Sequence, residues 1–498
     1  MTTLSLRSIE KKFGAVHAVV SANLDVDRGL IHAVVGENGA GKSTLLKIAA
    51  GVTPPDSGEV TIDGRTLSPH TAGEAASRGV AMVQQHFALI SVMTVLENLV
   101  LGREPMARLG RVDLSRARQR ADRVAQELGI TLDLDARVET LGVGERQRIE
   151  IVRALVRDAR VIILDEPTAV LTPGEAEALY ATLRRLADGG RAIIVVTHKL
   201  DEVEGHADRV TVMRKGAIVR TDELRAHART AVGVAGLAQA IMGAEPPPPL
   251  VADVRVPGAV RLRVDGLTLA RALSGLSLEV RGGEIVGIAG VLGNGQRELV
   301  RVLARMESPD EGGFRIEGPS TQASVVHEDR HAEGLVLDAS LLDNLVLGEL
   351  RNYARHGILD MKAMETEAQK RAERFEVRPS DLATPARTLS GGNQQKIVMA
   401  RAISRTPADG VLVVAHPTRG VDLGAARSIH AQILDVARRG TAVLVISADL
   451  HELRTLASRI LVISRGRIVA ELSPTASDGE IGARMVGANP QQTSKAQG

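Results

Sequence analysis

The chain contains no cysteine and no tryptophan, and only four phenylalanines and two tyrosines. Without cysteine it can form neither disulfides nor thiolate metal sites. So few aromatic side chains leave little surface on which nucleic-acid bases could stack. Lysine and arginine number 62 against 60 acidic residues, so the chain also lacks the basic excess that holds a nucleic-acid backbone. We therefore expect no nucleic-acid partner.

Long apolar runs and an export leader are also missing. Apolar stretches such as 192–197, 411–415 and 442–446 are far shorter than the ~20 residues that a membrane helix requires. The sequence does not begin with the charged and then apolar segment that directs secretion. We therefore expect a cytoplasmic protein that inserts into no membrane.

The chain repeats itself. With 498 residues it is long enough for two domains of roughly 250 residues. Residues 34–41 read VVGENGAG and are echoed at 287–295 by GIAGVLGNG, while 141–147 read LGVGERQ and are echoed at 389–395 by LSGGNQQ. Two echoes at nearly the same offset indicate two homologous domains.

A proline run lies between the two repeats, at residues 246–249. Consecutive prolines continue neither a helix nor a central strand and favour an extended segment. We predict a first domain at 1–244, a linker at 245–258 and a second domain at 259–498; a surface loop within one domain is the alternative. In each half, apolar strands alternate with amphipathic helices, which predicts an α/β fold with a mainly parallel sheet.

Residues 36–44 read GENGAGKST and lie between an apolar strand at 31–35 and an apolar helix at 43–50. This is both the pattern and the context of a phosphate-binding loop. Its glycines let backbone N–H groups wrap phosphates, the lysine meets the β and γ phosphates, and the serine hydroxyl can hold magnesium. A plain glycine-rich turn is the alternative. The predicted nucleotide contacts are Gly36, Glu37, Asn38, Gly39, Ala40, Gly41, Lys42, Ser43 and Thr44.

Two carboxylates follow a second apolar run. Residues 161–164 read VIIL and precede Asp165 and Glu166. Ligands of parallel sheets bind at the carboxyl ends of the strands. We predict that Asp165 orders magnesium and that Glu166 activates the attacking water. An acidic helix cap, before the turn at Pro167 and Thr168, is the alternative.

These motifs together resemble the ATP-binding-cassette family, because residues 141–147 look like its signature motif and three further residues fall at the expected places. The resemblance implies two P-loop cassettes, each with a mainly parallel sheet, an antiparallel β part and a helical subdomain, that bind ATP and Mg²⁺. It also implies that Gln85 senses magnesium and the membrane subunit, that His198 contacts the γ phosphate and that Phe13 stacks on adenine. Taken singly, each of these three residues is as compatible with a loop, cap or core role.

The second half has lost most of this chemistry. Gln296 replaces the loop lysine, and residues 297–298 replace the Ser-Thr pair. Ala415 and His416 replace the two carboxylates, and Ala448 stands in place of the histidine. Residues 328–330 replace the glutamine segment, and no aromatic residue lies near 269–270.

The signature motif shows the opposite pattern, because the second half keeps its serine and the first half has Gly142 instead. Members of the family bind each ATP between the phosphate loop of one cassette and the signature of the other. The resemblance therefore implies one complete site on Lys42 and one defective site on Gln296. Weak hydrolysis in both halves, or a neutral Gly142, are the alternatives. The signature residues expected to complete the first site are Ser390, Gly391, Gly392 and Asn393.

A tandem cassette with a disabled second half resembles the ATPase subunits of bacterial importers for nucleosides and simple sugars. Such subunits work with two membrane permeases and a substrate-binding lipoprotein, which implies a peripheral location on the cytoplasmic face of the inner membrane. Residues 84–98 and 290–296 look more like the nucleoside branch than the ribose or galactose branch. A soluble tandem-cassette ATPase of translation or DNA repair, and an ATP-gated scaffold without turnover, are the alternatives.

Overall fold

The computed structural model describes residues 2–14, 16–84, 88–106, 111–168, 171, 173–224, 234–243, 257–270, 272–291, 293–318 and 320–485. The chain divides into two compact units, Met1–Pro247 and Pro248–Gly498. Most of the predicted linker, from 245 to 256, lies outside the described residues, so the linker stays a prediction. No helix among the described residues is both long enough and apolar enough to cross a membrane.

The first unit contains strands and helices in the alternation that its sequence predicts. In chain order they are β1 (Thr2–Phe13), β2 (Val16–Asp27), β3 (Ile31–Gly36), α1 (Lys42–Ala49), β4 (Ser57–Ile62), β5 (Arg65–Thr66), α2 (Ala72–Ser77), β6 (Val80–Val83), α3 (Val95–Val100), α4 (Leu114–Leu128), α5 (Val143–Val156), β7 (Val161–Asp165), α6 (Pro173–Asp188), β8 (Ala192–Val196), α7 (Leu200–His206), β9 (Arg209–Arg214), β10 (Ala217–Glu223) and α8 (Val234–Met242).

A six-stranded sheet with the order β10-β9-β3-β8-β7-β6 forms the centre of this unit. All its pairings are parallel except that of β9 with β10. Every residue of β3, β7 and β8 is buried, as expected for strands of a parallel sheet covered on both faces. The carboxyl ends of these three strands therefore meet at one edge, where the loop after β3 and the residues after β7 and β8 come together.

A second, antiparallel sheet has the order β2-β1-β4-β5. Leu45, Leu46 and Ile48 of α1 share one core with Leu4 and Leu6 of β1. Helix α1 is thus held between the central sheet and the antiparallel sheet. The phosphate loop that precedes α1 is thereby fixed at both ends by buried structure.

The helical part of the unit consists of α3, α4 and α5. Ala117, Ala121 and Leu128 recur on one face of α4 and share a core with Leu99 of α3 and Ile149 of α5, which is the spacing of an amphipathic helix. The Asp113 carboxylate accepts a hydrogen bond from the Arg116 N–H at the amino end of α4. This part is the helical subdomain that the family resemblance predicts.

The second unit repeats this plan. It contains β11 (Val260–Leu269), β12 (Leu273–Arg281), β13 (Ile285–Ala289), α9 (Gln296–Leu303), β14 (Glu311–Ile316), β15 (Ser324–Val326), α10 (Leu341–Val346), β16 (Ala354–Arg355), β17 (Ile358–Leu359), α11 (Met361–Arg374), α12 (Gly391–Arg405), β18 (Val411–Ala415), α13 (Leu423–Arg438), β19 (Ala442–Ser447), α14 (Leu450–Leu456), β20 (Arg459–Ser464), β21 (Arg467–Leu472) and α15 (Asp478–Met485).

Its central sheet has the order β15-β18-β19-β13-β20-β21, and an antiparallel sheet has the order β12-β11-β14. The predicted α/β fold is therefore confirmed in both units. The predicted boundaries differ slightly: helix α1 begins at Lys42, one residue before the predicted start. Strand β7 ends at Asp165, so that Glu166 already belongs to the following turn.

Candidate nucleotide site

The phosphate loop connects β3 to α1, and glycine is required at both of its ends. Gly36 and Gly41 have positive φ angles of 155° and 97°. A Cβ on Gly36 would lie 2.2 Å from the carbonyl oxygen of Met213, and a Cβ on Gly41 would lie 2.2 Å from that of Ala18. Any other residue would clash with backbone. Glycine thus lets the loop close tightly over the end of β3.

Lys42 is the first residue of α1 and is only 6% exposed. Its Nζ donates hydrogen bonds to the carbonyl oxygens of Gly36 at 2.7 Å and Glu37 at 2.9 Å. The ammonium group is therefore folded back over the loop, and its charge is held where the loop would cradle phosphates. Asn38, Gly39 and Thr44 lie in the same loop and in the first turn of α1.

The Ser43 hydroxyl lies close enough to the Asp165 carboxylate, at the end of a different element, to favour the ionised form of that carboxylate. Burial raises the pKa of Asp165, and the adjacent Glu166 charge raises it further, against the opposing effects of Ser43 and Lys42. Carboxylate and hydroxyl oxygens are ligands that Mg²⁺ prefers. Because a hydroxyl and a carboxylate lie close together here, the donor set fits a magnesium ion.

Glu166 and His198 form the second pair of this site. The His198 Nδ1 lies 3.2 Å from the Glu166 Oε1. Burial tends to raise the pKa of Glu166, but the hydrogen bond and charge of His198, together with the charge of Lys42, lower it below the usual range of glutamate. The carboxylate is therefore ionised at neutral pH, as a proton acceptor must be.

A half-buried carboxylate that the sequence analysis missed lies near this pair. Glu202 of α7 accepts hydrogen bonds from the hydroxyls of Thr168 at 2.8 Å and Tyr180 at 2.9 Å. Thr168 stands two residues after Glu166, so Glu202 anchors the turn that carries Glu166. A sequence signal was present: the three residues recur at one constant offset as Thr418, His430 and Glu452, and Glu452 again accepts from Thr418 and contacts His430.

Phe13 and Gln85, the remaining predicted residues of this half, are less constrained by the structure. Phe13 is the last residue of β1, its ring is exposed, and the Lys11 Nζ lies 5.6 Å from its centroid. Gln85 lies outside the described residues. Ala88, which follows that segment, donates its N–H to Glu150 of α5 at 2.8 Å.

In the second unit, Gln296 fills the place of the lysine. It is 6% exposed, its Nε2 donates to the Val291 carbonyl at 2.8 Å, and its Oε1 accepts the Asn294 N–H at 3.0 Å. Val291 matches Glu37 in the repeat, so the amide keeps one of the lysine contacts. The Gln296 amide brings no charge, and its two hydrogen bonds hold the loop to itself.

The carboxylate and hydroxyl positions of the second unit are also altered. Arg297, in the place of Ser43, binds Glu333 at 3.1 Å. His416, in the place of Glu166, is half-buried, and its partial removal from water lowers its pKa. Its φ of 47° nevertheless matches the 49° of Glu166. The turn is therefore retained while its acid-base chemistry is not.

The two signature segments begin helices in equivalent ways. Ser390 is the N-cap of α12, and its Oγ accepts hydrogen bonds from the Asn393 N–H at 3.4 Å and from the Asn393 Nδ2 at 3.0 Å. Gly142 is the N-cap of α5, where its N–H is bound by the Glu145 carboxylate at 2.9 Å. Gly391 and Gly392 form the first turn of α12. The first unit thus has no side-chain hydroxyl at this position.

A glycine-lined loop, a buried lysine and a strand-end carboxylate pair, all on one parallel sheet, define a P-loop nucleoside triphosphatase. The family model described as ABC transporter matches residues 19–169 and 273–412, more than half of the chain. The chain belongs to the ABC transporter family, as its ATP-binding subunit.

The chain is similar along its whole length to importer subunits. It is 38% identical to the nucleoside import ATP-binding protein NupA of Lactococcus lactis subsp. cremoris (strain MG1363), covering 98% of this chain and 99% of the relative. It is 37% identical to the guanosine import ATP-binding protein NupO of Bacillus subtilis (strain 168), covering 99% of each. The ribose import ATP-binding protein RbsA 2 of Streptomyces coelicolor (strain ATCC BAA-471 / A3(2) / M145) is 38% identical, and the match covers 94% of this chain and 91% of the relative.

Among solved structures, the complex of archaeal ribosomal stalk protein aP1 and archaeal ribosome recycling factor aABCE1 is similar in fold, with a TM-score of 0.65. The identity is 20%, and 96% of this chain and 92% of that chain are covered. At this identity the likeness concerns the fold alone.

Proposed function

We propose that this chain is the ATP-hydrolysing subunit of an importer for nucleosides or simple sugars, working through separate permease subunits. The observation that carries the proposal is the grouping of Lys42, Ser43, Asp165, Glu166 and His198 in one unit only. The full-length similarity to subunits named for nucleoside, guanosine and ribose import supports the class of cargo. Nucleoside and ribose relatives are equally similar, so the cargo stays one of the two classes.

In the proposed reaction, the Lys42 ammonium and the loop N–H groups bind the β and γ phosphates, and the exposed Phe13 ring stacks on adenine. A magnesium ion held by Ser43 and Asp165, with Gln85 as a further ligand, would neutralise charge on the phosphate oxygens. Glu166 accepts the proton of the water that attacks the γ phosphate, and His198 orients Glu166 and contacts that phosphate.

The second cassette has a different proposed role. Gln296, Arg297 and His416 provide no phosphate charge, metal hydroxyl or base, so we propose that this cassette does not hydrolyse ATP. Its signature residues Ser390 and Asn393, with Gly391 and Gly392, instead act on the ATP held by Lys42, as the family resemblance implies.

The partners follow from the same proposal. We propose two membrane permeases, an indirectly coupled substrate-binding lipoprotein and a peripheral location on the cytoplasmic face of the inner membrane. Affinity purification of the full chain from membranes should recover permeases and no ribosomal proteins. Recovery of ribosomes alone would instead favour a soluble tandem-cassette ATPase.

Glu166→Gln tests the catalytic assignment. Loss of the proton acceptor should reduce steady-state ATP hydrolysis by ~10²-fold or more while ATP affinity is kept, because the carboxylate serves the water and not the nucleotide. Phosphate release and calorimetric ATP binding should be measured on the same preparation. His416→Gln, at the matching position of the second unit, is the control and should hydrolyse ATP at the wild-type rate.

A Glu166→Gln chain with unchanged turnover would refute the role of Glu166. A wild-type chain that binds ATP but releases no phosphate, even when bound to its permeases, would favour a scaffold without turnover. Uptake of labelled nucleosides and of labelled ribose by cells with and without the gene then decides between the two cargo classes.

A further inference from the structure

A cavity of about 500 Å³ lies in the first unit. Its lining residues include a group of arginines from four separate segments of the chain, and none of the lining residues in the described part of the chain is aromatic. The arginine group, called here the arginine cavity, consists of Arg28, Arg103, Arg157, Arg160 and Arg191.

The arginine cavity lies at the edge of the sheet opposite to the nucleotide site. Arg160 directly precedes β7, Arg191 directly precedes β8, and the lining residue Gly79 directly precedes β6. In a parallel sheet the amino ends of the strands share one edge. The phosphate loop and Asp165 follow the carboxyl ends, so the two sites are separated by the length of the strands.

Positive charge is in excess around this cavity. Asp158 is the carboxylate among the lining residues, and it is paired outward with Arg120 of α4. Asp63 bridges Arg28 at 2.7 Å and Arg160 at 2.8 Å. Glu150 and Glu104 also lie near Arg157, so five guanidinium groups meet four carboxylates. Two of these carboxylates, Asp158 and Glu150, are paired with the further arginines Arg120 and Arg153.

One donor atom of the lining arginines lacks an acceptor. The Nε of Arg157 is buried and has no hydrogen-bond partner within the described part of the chain. Burial lowers the pKa of Arg157, and the charges of Arg153 and Arg103 lower it further. Because this donor is buried away from solvent, an anion in the cavity would act on the guanidinium groups mainly through its charge, and would relieve the repulsion among them.

The second unit shows that the fold does not require this cluster. At the positions that match in the repeat, one arginine is retained, and the other four places hold glycine, glutamate or threonine. These residues are Gly282, Glu349, Arg405, Gly410 and Thr441. Since both units form the same kind of sheet, the fold does not require arginine at the four positions where it is not retained.

We propose that the arginine cavity binds a small, soluble compound carrying two or more phosphate groups. Its volume lies in the range of small-molecule sites. The planar fork of arginine matches phosphate oxygens, and several forks converging on one cavity suit an anion of high charge. The lack of aromatic side chains in the lining indicates that the phosphates, and not a base, are recognised.

Calorimetric titration of pyrophosphate into the full-length Lys42→Ala chain tests this proposal. That background removes the charge that binds phosphate in the nucleotide site, and magnesium-free buffer removes metal complexes. Saturable binding of one pyrophosphate per chain is expected, weaker at high salt because ions screen the charges. Arg191→Gln and, separately, Arg157→Gln should each weaken it by about tenfold or more, as loss of a charge-assisted hydrogen bond does.

Arg118→Gln on α4 is the matched control, because it removes an exposed arginine that does not line the cavity and should leave pyrophosphate affinity unchanged. Arg191→Gln affects a partly exposed side chain, so its folding is easily verified by melting temperature. Absence of saturable binding, equal affinity in all variants, or binding only to vesicles containing phosphatidic acid would each overturn the proposal.

Discussion

At the scale of single residues, the backbone of the catalytic turn and its chemistry are separable. Glu166 and His416 have nearly the same positive φ, and their N–H groups donate to equivalent strand carbonyls, those of Val196 and Ile446. The strained turn is therefore a property of the fold. Only the side chain at this position decides whether a proton acceptor is present.

A buried histidine gives a residue-scale prediction about pH. His32 of β3 contacts the Thr211 hydroxyl at 2.8 Å, and burial, aided by the Arg209 charge, lowers its pKa from 6.5 to about 3. A lowered histidine pKa means that the unfolded chain binds a proton first as pH falls. The stability of the first unit should therefore fall between pH 6.5 and pH 3.

His32→Val copies Val286, the matching residue of the second unit, and should remove this dependence. Between pH 7 and pH 5 the wild type should lose about 2 kcal/mol more unfolding free energy than the variant. pH 5 lies about 1.5 units below the ordinary histidine pKa of 6.5, and the loss is this interval multiplied by the free energy of one pKa unit. This difference in unfolding free energy is measured by urea unfolding at each pH, with hydrogen exchange of the β3 amides as the readout. Parallel pH profiles of the two chains would contradict the prediction.

At the scale of elements, Glu202 connects three parts of the first unit. It lies on α7 and binds Tyr180 of α6 and Thr168 of the turn after β7. Thr168 and Tyr180 are 2% and 3% exposed. Removing the shared acceptor would leave two buried hydroxyl groups unsatisfied.

Glu202→Ala should lower the unfolding free energy by about 2–3 kcal/mol, since unpaired buried donors each carry a desolvation cost. It should also slow ATP hydrolysis, because the turn after β7 carries Glu166. The neighbouring, exposed Asp201→Ala is the control and should stay within about 0.5 kcal/mol of the wild type. Equal stability and equal turnover of the two variants would show that Glu202 anchors nothing.

At the scale of the whole molecule, the two halves have lost different motif residues, and the losses are complementary. The first half keeps the loop lysine and the carboxylates but has Gly142 in its signature, while the second half keeps Ser390 but has Gln296 in its loop. Independent drift would not usually sort the losses in this way. One working site, which uses residues of both halves, is the proposal that this pattern supports.

Ser390→Arg and Gly142→Arg form the matched test of that proposal. Ser390→Arg should abolish hydrolysis, because the hydroxyl contributes a charge-assisted hydrogen bond of roughly 1.5–3 kcal/mol and arginine is too bulky for its place. Gly142→Arg should reduce turnover far less. In the proposed arrangement Gly142 faces the phosphate loop of the second half, which has Gln296 in place of lysine. ATPase rates are to be compared in the assembled transporter, after folding and permease binding are verified. Equal loss in both variants, or a larger loss in Gly142→Arg, would disprove the single site.

The sequence by itself determined the features that are written in contiguous residues. The phosphate loop with Lys42, the strand that ends at Asp165 and the two-fold repeat need only local spacing, because each motif is formed by one turn between neighbouring elements. The α/β fold followed from the alternation of strands and helices. The family resemblance supplied His198, Gln85 and Phe13, whose roles stay predictions.

Only the tertiary structure decided how distant residues meet. It places Ser43 near Asp165 and gathers Thr168 and Tyr180 on Glu202. It also brings arginines from four segments to the amino ends of the strands. No local pattern predicts these contacts, because the order of strands in the sheet, and not distance along the chain, sets which side chains become neighbours.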